Sequence, residues 1–434
     1  SAAPPAEPAP QGEERICSPV AARVLRQLLA GGPPPLLAEW MGLAANVGAA
    51  IPHELLPAVL DFGARHAAVR DDITRALGPR GTWLAAQNPA WTFSTEITAR
   101  PESAWETGTA EERIRILRHV RSTDSSAGLA LLQSTWETDP PRDRAQFVEA
   151  LENGLSMDDE PLLESALDDK RKEVRTAAAR LLGTLPESRL VRRMTERLAP
   201  LLRVHTPEGM IARLRGAGPR IDVELPAACD KAMRRDGIEP KPIYGFGERA
   251  WWLHQMLAAV PPSFWTAHWG MDAAALLNAA RANKDDGHTL VGGWTQAALH
   301  NRDPEWAEAL LRTGSDGEVA GALVGLAGAL TPERLEPLVL ARLRPGGLLV
   351  DRTSGNMLDA ARFAWSPALT RAVLDALPRE IGADRYQLRE WLRGFAMYMH
   401  PATAVATLRE LGDPHEGTWV DLLHLRHTLH QAFE

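Results

Sequence analysis

Between residues 170 and 220 the chain carries 13 lysines and arginines against four glutamates and no aspartate, a surplus of +9 within a chain of net charge −8. Two chemistries fit such a stretch. Its arginines can cover outer helix faces and cap helix ends, with their aliphatic stems packed on the layer beneath. Alternatively they form a ridge that meets an acidic protein or a phosphate backbone. Arg171, Arg175, Arg192 and Arg193 are the residues such a ridge would use. A second group is aromatic. In TWLAAQNPAW, Trp83 and Trp91 bracket Asn88. Either these indoles fill a buried junction while the amides cap helix ends, or Trp83, Asn88 and Trp91 form a recognition surface of the kind that tryptophan favours.

Catalytic chemistry finds less support. A phosphate-cradling loop needs Gly-Lys-Ser/Thr, and no glycine here precedes a lysine. No G-x-S-x-G nucleophile elbow occurs. His53-Glu54 is not followed by histidine at the metalloprotease spacing, and the two cysteines cannot build a four-cysteine zinc site. His424, His427 and His430, with Glu434 beyond, are the best metal candidates. Six residues turn a helix by roughly 600°, so His424 and His430 diverge, and a solvated helix face is expected instead. Cys229, Asp230, Asp236 and Glu239 are polar candidates for a site assembled across residues 216–247. No catalytic residue, metal or cofactor is assigned.

Composition bounds the class. A chain of 434 residues is long enough for two or three cores or one long array. A net charge of −8 argues against a general polyanion binder and leaves a local basic patch open. Only five of the 48 basic residues are lysine, and the Ala, Arg, Pro and Gly richness fits a GC-rich bacterial genome. Cys17 and Cys229 make no disulfide framework, which fits a reducing compartment. No apolar run reaches the roughly 20 residues of a membrane span. Residues 1–15 read as a disordered Pro/Ala-rich lead-in without the charged start and apolar core of a secretory signal. The expectation is a soluble cytoplasmic protein with no membrane partner.

The elements that must position these side chains are helices. In PLLESALDDKRKEVRTAAARLLGTL, Leu162, Leu163, Ala166 and Leu167 share one helix face. Asp158 to Glu160 favour the positive end of that helix, and Pro161 fits its first turn. After a polar break, Val174, Ala178, Leu181, Leu182 and Leu185 form a second stripe, and Pro186 blocks continuation. A two-helix unit cannot bury both faces without stacked neighbours. These residues, with Asp168, Arg175, Ala179 and Gly183, resemble a HEAT repeat. In that family the residues matching Asp168 and Arg175 commonly form a polar bridge between repeats. The resemblance implies the same structural role here, with Leu181 in the core. An ordinary helical hairpin is the other reading of the stretch.

Cys17-Ser18-Pro19, the Trp83–Trp91 segment, the repeat and DGIEPKP at 236–242 together resemble a bacterial helical-repeat family without an established activity. The resemblance places its genes beside SWIM zinc-finger proteins, MoxR-type AAA+ ATPases and von Willebrand factor A proteins. It implies a scaffold or adaptor whose partner is one of the latter two.

Elsewhere apolar stripes predict helices from residue 17 to 202 and from 248 to the end, including Glu318 to Leu330 and Gln387 to Met399. The pattern fails between Gly216 and Gly247, where Ile221, Val223 and Leu225 alternate with acids and hint at a short strand. The expected fold is all-α, a HEAT-like helical-repeat solenoid (an α-α superhelix) with an irregular segment near the middle. Its expected divisions are the lead-in 1–15, an N-terminal helical region 16–90, HEAT-like repeats 91–215, a linker or insertion 216–247, and C-terminal repeats 248–434. The expected function is a non-enzymatic protein-interaction scaffold. The alternative is a HEAT-like nucleic-acid binder of the DNA-repair type that uses the ridge at 170–220.

Overall fold

The computed structural model describes residues 15–88, 90–91, 105–106, 108–206, 218–243, 245–343, 352–376, 392–410 and 418–434. Residues 1–14 of the lead-in, Pro89 of the Gln-Asn-Pro turn, residues 92–104 and 207–217, the Pro345-Gly346-Gly347 break and the start of the helix expected from Gln387 lie outside them. The fold is all-α and helical-repeat-like, with one short-stranded segment. Among the described residues no helix is long and apolar enough to cross a membrane.

The chain forms two compact units, and their boundaries run differently from the linear divisions expected above. One unit is discontinuous: residues 1–99, 343–351 and 362–434. Its N-terminal helices Pro19–Leu29 and Pro34–Asn46 pack against the last helix, Thr418–Gln431. Leu429 enters the same apolar core as Leu25, Leu28, Leu36 and Trp40. Trp40 meets Phe433 edge-on at 5.4 Å, and the Ser18 hydroxyl donates to the Ala432 carbonyl at 3.0 Å. Glu39, a lone carboxylate in an apolar helix, accepts two hydrogen bonds from Arg426, at 2.8 and 2.7 Å.

The other unit holds residues 100–342 and 352–361. Its helices contact mainly near neighbours along the chain, as expected of a stacked array. Ala110–Thr123 packs on Ser125–Thr135 and on Pro141–Ala150, and the last of these packs on Lys172–Leu182. Glu160–Ala166 and Arg189–Leu198 also lie on Lys172–Leu182, and Arg189–Leu198 leads to Glu248–Ala258. Glu248–Ala258 packs on Gly287–Asn301, where glycine permits a close crossing: a Cβ on Gly293 would lie 2.6 Å from Leu257 Cβ. The starts of these helices are set by local side chains. Thr109 and Glu112 make a reciprocal capping box, and Asp124, Ser188, Asp272 and Asp303 accept from first-turn amides.

The central repeat has the helices its pattern predicts, Glu160–Ala166 and Lys172–Leu182, with Val174, Ala178, Leu181 and Leu182 buried. Leu181 is 1% exposed, so Leu181→Ala should cost about 2–5 kcal/mol in chemical denaturation; a loss below about 0.5 kcal/mol would be a surface value.

Three segments differ from expectation. The helix expected to run to Leu202 ends at Leu198, and Leu202–His205 is a strand paired antiparallel with Arg220–Val223. The segment expected to be irregular contains the helix Lys231–Arg235, because the Asp230 carboxylate accepts from the Met233 amide at 2.7 Å. The stretch from Glu318 to Leu330 is two short helices, Asp316–Val319 and Leu323–Gly328, separated by a turn at Gly321. Trp83 lies on a helix, Gly78–Ala85, within the region where short helices are expected.

Candidate functional site

Stacking of helical pairs brings together residues some 25–45 positions apart, and most of the ion-paired arginines of the cationic stretch meet their partners at that spacing. Arg180 pairs with Glu152 at 3.0 Å and Arg189 with Glu160 at 2.7 Å. Arg193 joins Glu164 at 2.9 Å and Asp236 at 2.7 Å, and Arg197 also reaches Asp236, at 2.7 Å. Lys172 meets Glu239 at 3.1 Å. The local surplus of +9 therefore overstates the exposed charge: most of the acids that answer it, Glu152 to Glu164, Asp236 and Glu239, lie outside residues 170–220. Hydrogen bonds from Arg189 hold the Glu160 carboxyl below its ordinary range.

The same rungs recur along the unit: Arg113 with Asp139 at 2.7 Å, Arg121 with Asp159 at 2.9 Å, Arg144 with Asp169 at 2.8 Å, and Arg281 with Glu318 at 2.8 Å. A polar ladder exists, but Asp168 and Arg175 do not form one of its rungs with each other. The Asp168 carboxylate accepts from Arg235 at 2.8 Å, which holds its pKa low. Arg175 instead donates to the backbone carbonyls of Asp169 and Lys170, at 2.8 and 3.1 Å, closing the turn ahead of its own helix. Among the described residues Arg171 and Arg192 make no ion pair, and both are exposed.

Trp83, Asn88 and Trp91 lie in the discontinuous unit, so the structure does not gather all the proposed partner-binding residues onto one unit. Trp83 and Trp91 are half-buried. The Trp91 indole donates to Asp61 on helix Leu56–Arg65 at 2.8 Å, and Asn88 accepts from the Ala90 amide at 3.0 Å. That is a junction held by its own polar bonds. His424 is exposed, whereas His430 turns inward to Glu39 at 2.7 Å, a departure from the solvated face expected for the three histidines. Among the described residues no group of three or more histidines, cysteines and carboxylates is placed to hold a metal. Of the candidates in the segment 216–247, Asp230 caps a helix and Asp236 is enclosed by Arg193, Arg197 and Arg235. Burial raises the Cys229 thiol pKa, which disfavours the thiolate.

The segment instead builds a cavity. Residues 236–243 lie over helix Glu248–Ala258, where the Gln255 amide pairs with both backbone groups of Glu239: it accepts from the amide at 2.8 Å and donates to the carbonyl at 3.0 Å. The Trp252 indole donates to the Pro240 carbonyl at 3.0 Å. Gly237, at φ +92°, turns the chain so closely over helix Lys172–Leu182 that a Cβ there would lie 2.7 Å from Ala179 Cβ. The enclosed space is about 330 Å³, half-open and largely apolar. Ala179, Gly183, Ile238, Ile243, Ala258 and Ala259 supply its apolar wall.

Two of its buried polar atoms, Trp251 Nε1 and His254 Nδ1, have no hydrogen-bond partner. The two rings stack with centroids 5.5 Å apart, and Phe246 lies against both. Burial pushes the His254 pKa down to about 4, opposed by a hydrogen bond to the Thr289 backbone, so the ring is neutral at pH 7. His300 is lowered as well, again by burial. The site thus offers an apolar anchor space beside a stacked Trp251–His254 pair, with Arg180, Gln255, Gln296 and His300 as polar side chains in its lining. Sequence reasoning passed over Trp251, His254 and Gln255. Their only local sign is WWLHQ, where polar side chains interrupt an apolar helix.

A model for a family of unknown function, DUF5691, matches residues 1–433. The chain belongs to that family. No curated protein and no solved structure matches it. Family membership brings no activity with it, so the functional reading rests on the chain's own geometry.

Proposed function

We propose that this member of DUF5691 is a non-enzymatic protein-interaction scaffold, and that its cavity at residues 176–183, 236–243 and 251–259 docks an apolar side chain of a partner. The observation that carries the reading is an open, largely apolar cavity walled by the small residues Ala179, Gly183, Ala258 and Ala259, with Arg180, Gln296 and His300 as polar groups in its lining. Ligand sites have this composition: an apolar lining with a few convergent polar groups. Glu152, Glu164, Asp236, Arg180, Arg193 and Arg197, which stand around the cavity, are engaged in the ladder. Ile243, on the rim, is 56% exposed, as suits an interface side chain.

The HEAT-like reading of the repeats and a MoxR-type AAA+ ATPase or von Willebrand factor A protein as partner belong to the same proposal, supported by the resemblance of the sequence, and so does a cytoplasmic location, supported by the two cysteines without a disulfide framework. The test measures binding of the purified chain to each such protein from the same genome. Wild-type binding should be weakened at least about tenfold, 1.4 kcal/mol, by Ile243→Asp. Absence of binding, with turnover of a substrate by the purified chain, would overturn the scaffold reading.

The second reading, nucleic-acid binding, rests on Lys170, Arg171, Arg192 and Arg203, which make no ion pair among the described residues. It expects a salt-dependent gel shift that is lost on reversing Arg171 and Arg192 to glutamate. No shift at low salt would remove it.

A further inference from the structure

A second cleft of about 680 Å³ adjoins the cavity, and Arg180 and His300 line both. The second part is polar, and its charged lining is Arg118, Arg180 and Arg302 against Glu149 and Glu152. Arg180 is already answered by Glu152 at 3.0 Å. Arg118 and Arg302 are exposed and make no ion pair among the described residues. Arg302 is also the one non-glycine residue with positive φ among the described residues (φ 46°, ψ 41°), in the left-handed cap that ends helix Gly287–Asn301. Glycine is the favoured residue at such a position. The arginine occupies it against backbone preference and is part of the cleft lining.

We infer that the partner segment is acidic beside its apolar anchor, and that Arg118 and Arg302 bind its carboxylates while the anchor fills the adjoining cavity. The inference rests on the docking reading and names the chemistry of the partner. Guanidinium groups bind carboxylates in a two-pronged geometry that fixes orientation as well as charge. With Arg180 answered by Glu152, Arg118 and Arg302 face only Glu149, so the cleft keeps a positive charge that favours an acidic segment. The groove then reads a short sequence pattern, an apolar side chain followed or preceded by glutamate or aspartate.

Selection of random 12-residue peptides displayed on phage against the full chain tests this. The selected peptides are then synthesised with a fluorescein label and titrated by anisotropy. Enriched peptides should combine an apolar residue with acids. Affinity should fall about tenfold or more for Arg118→Gln and for Arg302→Gly, the loss expected for a charged hydrogen bond. Glutamine in place of the peptide acids should cause the same fall. Arg302→Gly relieves the left-handed strain, so its melting temperature should match or exceed wild type, which separates lost binding from lost folding. Peptides that lose binding to Ile243→Asp but keep it with Arg118→Gln, Arg302→Gly or the glutamine peptides would overturn the carboxylate assignment and leave the docking site standing. Failure to enrich any peptide, or peptides indifferent to Ile243→Asp, would overturn the docking site and this inference together. Binding of a fluorescein-labelled 12-nucleotide oligothymidylate with the same dependence on Arg118 and Arg302 would overturn the choice of a polypeptide carboxylate.

Discussion

Arg121→Met should remove about 3–5 kcal/mol of stability from the unit built on residues 100–342, a large part of what an ordinary domain possesses. Arg121 is 3% exposed, and its donors are fully used. Nε donates to the Asn153 carbonyl at 2.7 Å, and Nη1 to the Ser125 carbonyl and Asp159 Oδ1 at 3.1 and 3.0 Å. Nη2 reaches the Leu151 and Gly154 carbonyls and Asp159 Oδ2 at 2.9, 3.0 and 2.9 Å. The side chain thus ties helix Ala110–Thr123 to the turn after helix Pro141–Ala150 and to the start of the central repeat. Gly128 makes room for it: a Cβ there would lie 2.2 Å from Arg121 Cγ. Removing the guanidinium leaves a buried Asp159 carboxylate and several carbonyls unanswered, and that desolvation penalty dominates the loss. Urea denaturation of Arg121→Met and of Arg121→Met/Asp159→Leu checks this, since the double variant discards the stranded charge. The double variant should recover part of the loss; a single variant within about 1 kcal/mol of wild type would mean that the pair contributes as little as a surface bridge.

Arg426→Met should have the second largest effect, about 3 kcal/mol, confined to the discontinuous unit. Arg426 is 4% exposed and holds the first and last parts of that unit together. It donates twice to Glu39 and, through Nη1, to the Ala396 and Met399 carbonyls at 2.7 Å each. Hydrogen exchange should rise in residues 19–46 and 418–431 of the variant and stay unchanged in 110–200; a rise of equal size in both would sink the assignment. Glu39 adds a pH dependence. Burial raises its pKa, but hydrogen bonds from His430 and Arg426 more than offset that, leaving it below the ordinary value. A carboxylate depressed in the folded state contributes stability that is complete above its unfolded value of about 4.3 and is lost as the pH falls through the folded one. Wild type should therefore lose stability more steeply than Glu39→Gln below about pH 4. Parallel slopes for the two would show that this carboxylate does not titrate with unfolding.

The apolar stripes were readable because helix periodicity is a local property. Val174, Ala178, Leu181 and Leu182 are buried as their spacing requires, and so are Phe147, Val148 and Leu151 before them. The ladder was not readable. Arg189 and Glu160 stand 29 residues apart, and nothing near either residue marks the other as its partner. Counting charge along a window therefore suggested a basic ridge where stacking produces pairs. The cavity was hidden for a related reason. Its walls come from Ala179, Gly237 and Ala259, small residues whose importance lies only in what they allow to approach. Glu39 did leave a trace, since it is a single charge in a mostly apolar stretch and so requires an opposite charge from elsewhere.

The core shared by Leu25, Trp40 and Leu429 has a consequence for biosynthesis. The hydroxyl of Ser18 finds its acceptor 414 positions later, and Glu39 waits 387 positions for Arg426. At a few to some tens of residues translated per second, the first helices leave the ribosome many seconds before the strand of message encoding residues 418–434 is read. The stacked repeats between them, whose neighbours are close in sequence, complete their packing during that interval. The opening helices therefore cannot complete their core until residues 418–434 have been made, long after they themselves emerge.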